Sequence, residues 1–322
     1  MIFEKKLQLV GGGNEQPPEG QIHFIASKDF ENVDFFQHIT RSIPGHDFSN
    51  LEVYINGELT NQVANSISAK ADDDIIIKAT HGVYPWFGYY YILGSVTYSI
   101  DYIKSIEEPF PLMYQYNGKK IPNFESCFRD CSSLTSIPSG LFDNNPQIDD
   151  FSSCFQDCSS LTSIPSGLFD NCPNVTKFSN CFYNCSSLTS IPSGLFDNCP
   201  NVTKFGGCFS KCGSLTSIPQ GLFDINPQVT QFNACFQNCS SLISIPLSLF
   251  SKHTKVTSFY TCFENCSNLT VNVQIGTTAT SVDVTRFAGN TKAKGTVYCR
   301  AGSAAYTAFS KSINANVNVL TY

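Results

Sequence analysis

Charge is scarce in this chain of 322 residues: 14% are Asp, Glu, Lys or Arg, against about 25% in an ordinary soluble domain. Twenty basic residues face 26 acidic ones, a formal charge of -6. That excludes the basic face that phosphates require, so no nucleic-acid partner is expected, and it excludes a polybasic membrane anchor. Long hydrophobic runs are missing too. The longest, residues 83–93, is broken by Pro85 and Gly88 and falls short of the ~20 residues that cross a bilayer. The opening Met1-Ile-Phe-Glu-Lys-Lys has no apolar stretch before Gly11 and does not read as a secretory leader. Catalytic signatures are equally scarce. There is no GxSxG, HExxH, P-loop or GxGxxG, and His23, His38, His46, His81 and His253 are scattered. Asp72-Asp73-Asp74 lacks EF-hand spacing and reads as a solvated turn before a strand. No catalytic residue, metal ligand or cofactor is expected.

What the chain does have is apolar residues, 42%, and fifteen cysteines. The cysteines are periodic. Cys127, Cys154, Cys181, Cys208, Cys235 and Cys262 recur every 27 residues, and each is followed four residues later by another: Cys131, Cys158, Cys185, Cys212, Cys239 and Cys266. Phe124, Phe128 and Leu134 recur on the same period. CSSLTSIPSGLFDN appears verbatim from 131, 158 and 185. A fixed period of this length predicts a solenoid, each coil burying its apolar side on the next.

One coil can be read locally. Phe, Cys, Phe and Cys at i, i+3, i+4 and i+7 predict one face of a short helix or of 3₁₀ turns. Leu-Thr-Ser-Ile predicts a short strand stopped by proline, stacking on its copies as a parallel sheet. Gly140, Gly167, Gly194 and Gly221 open the turn before Leu-Phe, and Ser248 replaces that glycine later. Residues 98–123 are read as a degenerate first coil. Within 271–322, a 27-residue count from Leu269-Thr-Val places a last coil at Thr296-Val-Tyr. A short helix N-capped by Ser303 and a closing strand at Asn316-Val-Asn-Val-Leu complete the cap.

The front of the chain differs. Residues 1–19 end in a Gly- and Pro-rich linker. Residues 20–97 have no cysteine, and 21–26, 51–55, 74–79 and 89–98 read as strands, with Asn56-Gly57 as a hairpin turn. Several short strands in so short a stretch suggest a small β-sandwich-like domain. The expected fold is therefore mainly β with short helices: this domain, then six coils over 124–270 between caps.

The paired cysteines read as a ladder of small buried hydrophobes. Zinc is the alternative, but no histidine lies nearby. Cys172 and Cys199, one coil apart in the variable loop, are the candidate disulfide. Asp143, Asp170, Asp197 and Asp224 read as turn caps, with a calcium column as the alternative. Thr135, Thr162, Thr189 and Thr216, each followed by serine, form a column of hydroxyls that is either a solvated ladder or a ligand face. Trp86, with Tyr84, Phe87 and Tyr89, is the other ligand-contact candidate, because large amphipathic rings dominate contact hot spots.

The unit CFxxCxxLTSIPxGLF resembles the BspA-like bacterial leucine-rich repeat family, over 124–270 and its decayed flanks. The resemblance implies a surface-exposed, protein-binding, non-catalytic role. Three functions follow as expectations. The first is a non-enzymatic adhesion module of a bacterial surface that holds a protein or glycan. The second is a virion-associated fibre or decoration protein of a phage, with reduced cysteines. The third is an enzyme with its site in the front domain, which lacks visible catalytic groups. Localisation is accordingly extracellular or virion, and the repeats do not specify an oligomeric state.

Overall fold

The computed structural model describes residues 20–28, 30–33, 51–62, 67–79, 103–107, 109, 124–289, 294–313 and 317–322. Within them the protein is mainly β, with one α-helix. At the front, β1 (Gly20–Ala26), β3 (Leu51–Ile55), β4 (Glu58–Leu59), β6 (Asp74–Ala79) and β7 (Ile103–Ile106) make an antiparallel sheet in the order β4-β3-β6-β1-β7. A second pair joins β2 (Phe30–Val33) to β5 (Ile67–Ala69). Three of the four expected strands are found. The fourth, 89–98, lies outside the described residues. Asn56 and Gly57 take φ of 52° and 81°, so the two-residue turn forms and sets Tyr54 opposite Leu59. Phe24, Val53, Ile75 and Ile77 are buried and opposed in register, and β5 adds Ile67 and Ala69 to that core.

β7 lies within the stretch read as a degenerate coil. It is an edge strand of the front sheet, and it also carries the first rung of the repeats. Ser105 bridges Ser136 in parallel, and the Thr135 N–H donates to the Lys104 carbonyl at 2.8 Å.

From Phe124 onward, backbone bonds run from coil to coil. Lys177 bridges Lys204, Lys204 bridges Gln231, and Gln231 bridges Ser258. The tightest ladder runs through the FxxCFxxC segment, where Phe128 N–H donates to Cys154 O at 2.7 Å and Phe155 N–H to Cys181 O at 2.8 Å. This segment is not helical. Cys127 N–H returns to Phe124 O and Cys131 N–H to Phe128 O, closing two turns. The third residue of each, Ser126 and Asp130, is left-handed at φ 58° and 62°. Type II turns have this pattern, and it recurs at Ser153 and Asp157, Asn180 and Asn184, Ala234 and Asn238, Thr261 and Asn265. The correction has a physical reason. A helix would spend these N–H groups within the coil, whereas the turns leave alternate ones, at 126, 128 and 130, aimed along the stack at residues 152, 154 and 156. The inward face is the one the spacing predicts: all four Phe and Cys positions are buried.

Leu-Thr-Ser-Ile is likewise less regular than a sheet. It contributes single rungs, such as Thr189 N–H to Thr162 O at 3.2 Å and Thr216 N–H to Thr189 O at 3.4 Å. The proline two residues beyond Ser has no N–H for the next rung. The leucines still pack in one buried column, Leu134 through Leu269.

Phenylalanine fills the interior. The Phe124 column stacks at 5.7–6.0 Å and the Phe128 column at 5.2–5.6 Å, with ring planes nearly parallel. Phe142, Phe169, Phe196 and Phe223 wedge between them at 4.6–4.8 Å. Each such pair adds about 0.5–1.5 kcal/mol beyond area burial.

The far end is a parallel sheet, β8 (Thr270–Ile275), β9 (Lys294–Cys299) and β10 (Val317–Thr321), in the order β10-β9-β8. Thr270 pairs with Lys294, so this coil is shorter than the 27-residue count that aligned Leu269 with Thr296. Helix α1 (Ala304–Ser312) starts at Ser303, whose Oγ accepts from the Tyr306 N–H as a proper N-cap. It closes the core with Phe309, whose ring meets Phe287 at 5.0 Å.

Candidate functional site

The two ligand candidates fare differently. Tyr84, Trp86, Phe87 and Tyr89 lie outside the described residues. Thr135, Thr162, Thr189 and Thr216 are all exposed, with Ser136, Ser163, Ser190 and Ser217 exposed beside them. Both residues face water because the Leu and Ile that flank them turn inward. The threonine hydroxyls also brace the stack: Thr135 Oγ1 donates to Lys104 O at 3.1 Å and Thr189 Oγ1 to Thr162 O at 3.3 Å. Their lone pairs stay open to solvent. The column ends on an apolar note at Ile243, which is 60% exposed.

A second threonine column was missed. Thr176, Thr203, Thr230 and Thr257 each donate to the carbonyl one coil back. Their signal was the x-V-T-x-F pattern at the same period, hidden inside residues read as variable. Beside it Lys177 meets the buried carboxylate of Asp150 at 2.8 Å.

The twelve repeat cysteines form two inward columns, and all fifteen cysteines are buried free thiols. The second of each pair does more than fill space. Cys158, Cys185, Cys212, Cys239 and Cys266 donate S–H to a phenylalanine carbonyl one coil back at 3.0–3.2 Å. That carbonyl already accepts its own turn N–H, so the thiol uses the second lone pair. Burial pushes the thiols up, Cys266 and Cys299 to about 12 and Cys127, Cys154 and Cys181 well above the ordinary thiol range. Thiols held protonated in this way are poor nucleophiles and poor metal ligands. Among the described residues no cluster of three or more His, Cys, Asp or Glu is arranged to hold a metal.

Cys172 and Cys199, the candidate disulfide pair, are buried as free thiols, with Cys199 Sγ 3.8 Å from Phe169 O. They occupy a core column rather than a loop: Asn145, Cys172, Cys199, Asn226 and His253, all at most 1% exposed. Asn226 Nδ2 donates to Phe196 O and Cys199 O, and His253 Nε2 to Phe223 O at 3.1 Å. This position selects a donor. The FDNN, FDNC, FDIN and FSKH alignment held the signal. Burial lowers His253 to about 4, and its Nδ1 has no partner.

The aspartates lie over the turn glycines, and Asp143 Oδ1 and Asp224 Oδ1 are buried with no hydrogen-bond partner. Gly140 has φ +69°, and a Cβ there would sit 2.7 Å from Asp143 Oδ2, so the carboxylate folds over the bare glycine. Asp197, Asp224, Gly194, Gly221 and Lys252 line an open groove at this corner, where Lys252 Nζ meets Asp224 at 2.7 Å.

The site is thus one face of repeated hydroxyls over an interior whose reactive groups are closed off. No helix among the described residues is long and apolar enough to cross a membrane. No curated protein matches the chain in sequence. A family model described as "Mycoplasma protein of unknown function, DUF285" matches residues 105–194 and again 149–277. Its two overlapping copies follow the repeats from the β7 rung to the start of the end cap and span more than half of the chain, which therefore belongs to this family.

Proposed function

We propose that this chain is a non-enzymatic binding module: a solenoid of leucine-rich-repeat type, related to the BspA-like repeats, mounted behind a small β-sandwich-like front domain. Its ligand is a protein or a glycan. The observation that carries the reading is the exposed Thr-Ser column, four copies of one polar surface set over a core whose fifteen thiols are all buried. Repeated identical coils give repeated identical surfaces. Such surfaces suit extended contact, whereas catalysis needs different groups converging on one spot. The solenoid reading is supported by parallel bridges at a 27-residue step from Asp150 to Ser258. The sandwich-like reading is supported by the two antiparallel sheets that share one core.

Trp86 and its neighbours supply the anchors that the hydroxyl face lacks, since buried aromatic anchors each carry about 2 kcal/mol or more of binding. Binding to arrayed glycans and surface proteins tests the module. The Thr162→Lys/Thr189→Lys double variant should keep the melting temperature and lose the captured ligand, and so should Trp86→Ala. Binding unchanged by both would end this reading.

A further inference from the structure

The turn after each proline repeats a small device. An aspartate, Asp143, Asp170, Asp197 or Asp224, lies over a bare glycine, and the residue 28 positions later reaches back to it from the next coil. In all coils but one that residue is a donor. Asn171 Nδ2 donates to the Asp143 carbonyl at 3.3 Å, Asn198 Nδ2 to Asp170 Oδ1 at 3.2 Å, and Lys252 Nζ to Asp224 Oδ2 at 2.7 Å. For Asp197 it is Ile225, which has nothing to donate and is 46% exposed. The Asp197 carboxylate is exposed and accepts no hydrogen bond among the described residues. The two carboxylates otherwise sit alike. Asp197 Oδ2 and Asp224 Oδ2 lie 3.1 and 3.6 Å from where a Cβ on Gly194 and Gly221 would be. The Asp224 site therefore shows what the Asp197 site goes without: an ammonium on an alkyl stem.

We propose that the groove at Asp197 receives a lysine side chain of a partner protein, its stem along Ile225 and its ammonium on the carboxylate. Charge and shape both select it. Asp197 and Asp224 line the groove against one cation, Lys252, so one negative charge is left over. Ile225 supplies an apolar wall in the same groove. A lysine uses both, since its methylenes cover apolar surface while its head stays polar. Its compact charge also suits contact through one oxygen, as Lys252 makes it, whereas a guanidinium fork calls for two. Apolar surface continues at Leu247, 53% exposed, one coil beyond the Gln220 that lines the groove. A polypeptide carrying the lysine finds a second anchor there, which an amino sugar does not use. The proposal rests on the reading of this chain as a binding module, and it places the contact at the turn, apart from the Thr-Ser column.

Titration of the full, isotope-labelled chain with Nα-acetyl-lysine methylamide tests this, followed at the carboxyl carbons of Asp197 and Asp224 and the methyl groups of Ile225. Asp197 and Ile225 should shift together and saturate, while Asp224 stays still. Nα-acetyl-norleucine methylamide keeps the stem and loses the charge, and glucosamine keeps an ammonium and loses the stem, so each should bind about fivefold more weakly. Asp197→Asn should abolish the shifts at Ile225, and Ile225→Lys should abolish those at Asp197 by supplying the lysine from within. Lys252→Ile should open a second site, so that Asp224 shifts as well. A short peptide with one lysine between leucines should bind more tightly than the single amino acid, and Leu247→Ser should remove that gain. Shifts indifferent to Asp197→Asn, equal binding of either control compound, an Asp224 that stays still in Lys252→Ile, or a peptide that gains nothing would each overturn the proposal. The Thr162→Lys/Thr189→Lys variant should leave this titration unchanged, so failure here leaves ligand capture by the hydroxyl face standing.

Discussion

The front sheet and the repeats solve the same problem by opposite means. In the front sheet, β1 pairs with β6 about fifty residues later and with β7 beyond that, so each partner must be found across a long stretch of chain. In the repeats every coil meets only the coils before and after it. The first arrangement is all-or-none, because removing β6 cuts the sheet into two separate pairs, β4-β3 and β1-β7. The second is a sum of similar interfaces. The lesson is that an equal insult should spread differently in the two regions.

The sharpest way to break that comparison is in the aromatic interior. Phe178 stacks on Phe151 and Phe205 and holds Phe169 and Phe196 at its sides. Phe178→Ala should cost about 3–5 kcal/mol, read by urea unfolding. Hydrogen exchange should show the loss concentrated in the coils around 151–210, with β1 and β6 still protected. Ile77→Ala, at about 2–5 kcal/mol, should instead loosen the whole front sheet and leave Phe205–Phe263 protected. Equal loss of protection across both regions in either variant would refute the contrast.

Next in size is a pH effect confined to the repeats. His253 titrates near 4 in the folded state against 6.5 unfolded, chiefly because it is buried, with Asp224 and Lys252 opposing each other nearby. The unfolded chain therefore takes up this proton first. The contribution is complete above about pH 6.5 and is lost as the pH falls toward 4, about 3 kcal/mol in all. His253→Asn places there the residue already used at Asn145 and Asn226. It should flatten the stability profile between pH 4 and 6.5, and denaturation curves at stepped pH will show whether it does.

A smaller effect belongs to the turns. Gly140→Ala adds a Cβ to a residue at φ +69° and displaces the Asp143 carboxylate. It should destabilise by about 1–2 kcal/mol, measurable by thermal melting. Gly57→Ala at the front hairpin, at φ +81° but with open space around it, should cost only the strain. The smallest effect is on the hydroxyl face. Thr189→Ala should change stability by about 0.5 kcal/mol or less, because the residue is exposed.

Sequence and structure agree where the signal is a period and part where it is a conformation. Equal spacing of Phe124, Cys127, Phe128, Cys131 and Leu134 specifies which side chains share the interior, and all are buried. The i, i+3, i+4, i+7 spacing could not distinguish a helical turn from two consecutive β-turns, since both bring those positions to one side. What decides is the carbonyl of the next coil, which becomes a partner only after stacking. The Asn56-Gly57 hairpin and the Ser303 cap were legible because each depends on its own residues alone. The donor column ending at His253 was not, because Asn, Cys and His share no hydropathy. They share only an N–H or S–H to offer a buried carbonyl.

The verbatim segment at 131, 158 and 185 has a genetic consequence. Because the step from Lys177 to Lys204 is the step from Lys204 to Gln231, unequal crossing-over between two such segments removes or adds whole coils in frame. The faces left at the junction are the ones that were already in contact. Alleles of this gene should therefore differ in length by multiples of 27 codons, and a shift of any other size should be rare, since it would set a phenylalanine where a carbonyl waits for a thiol.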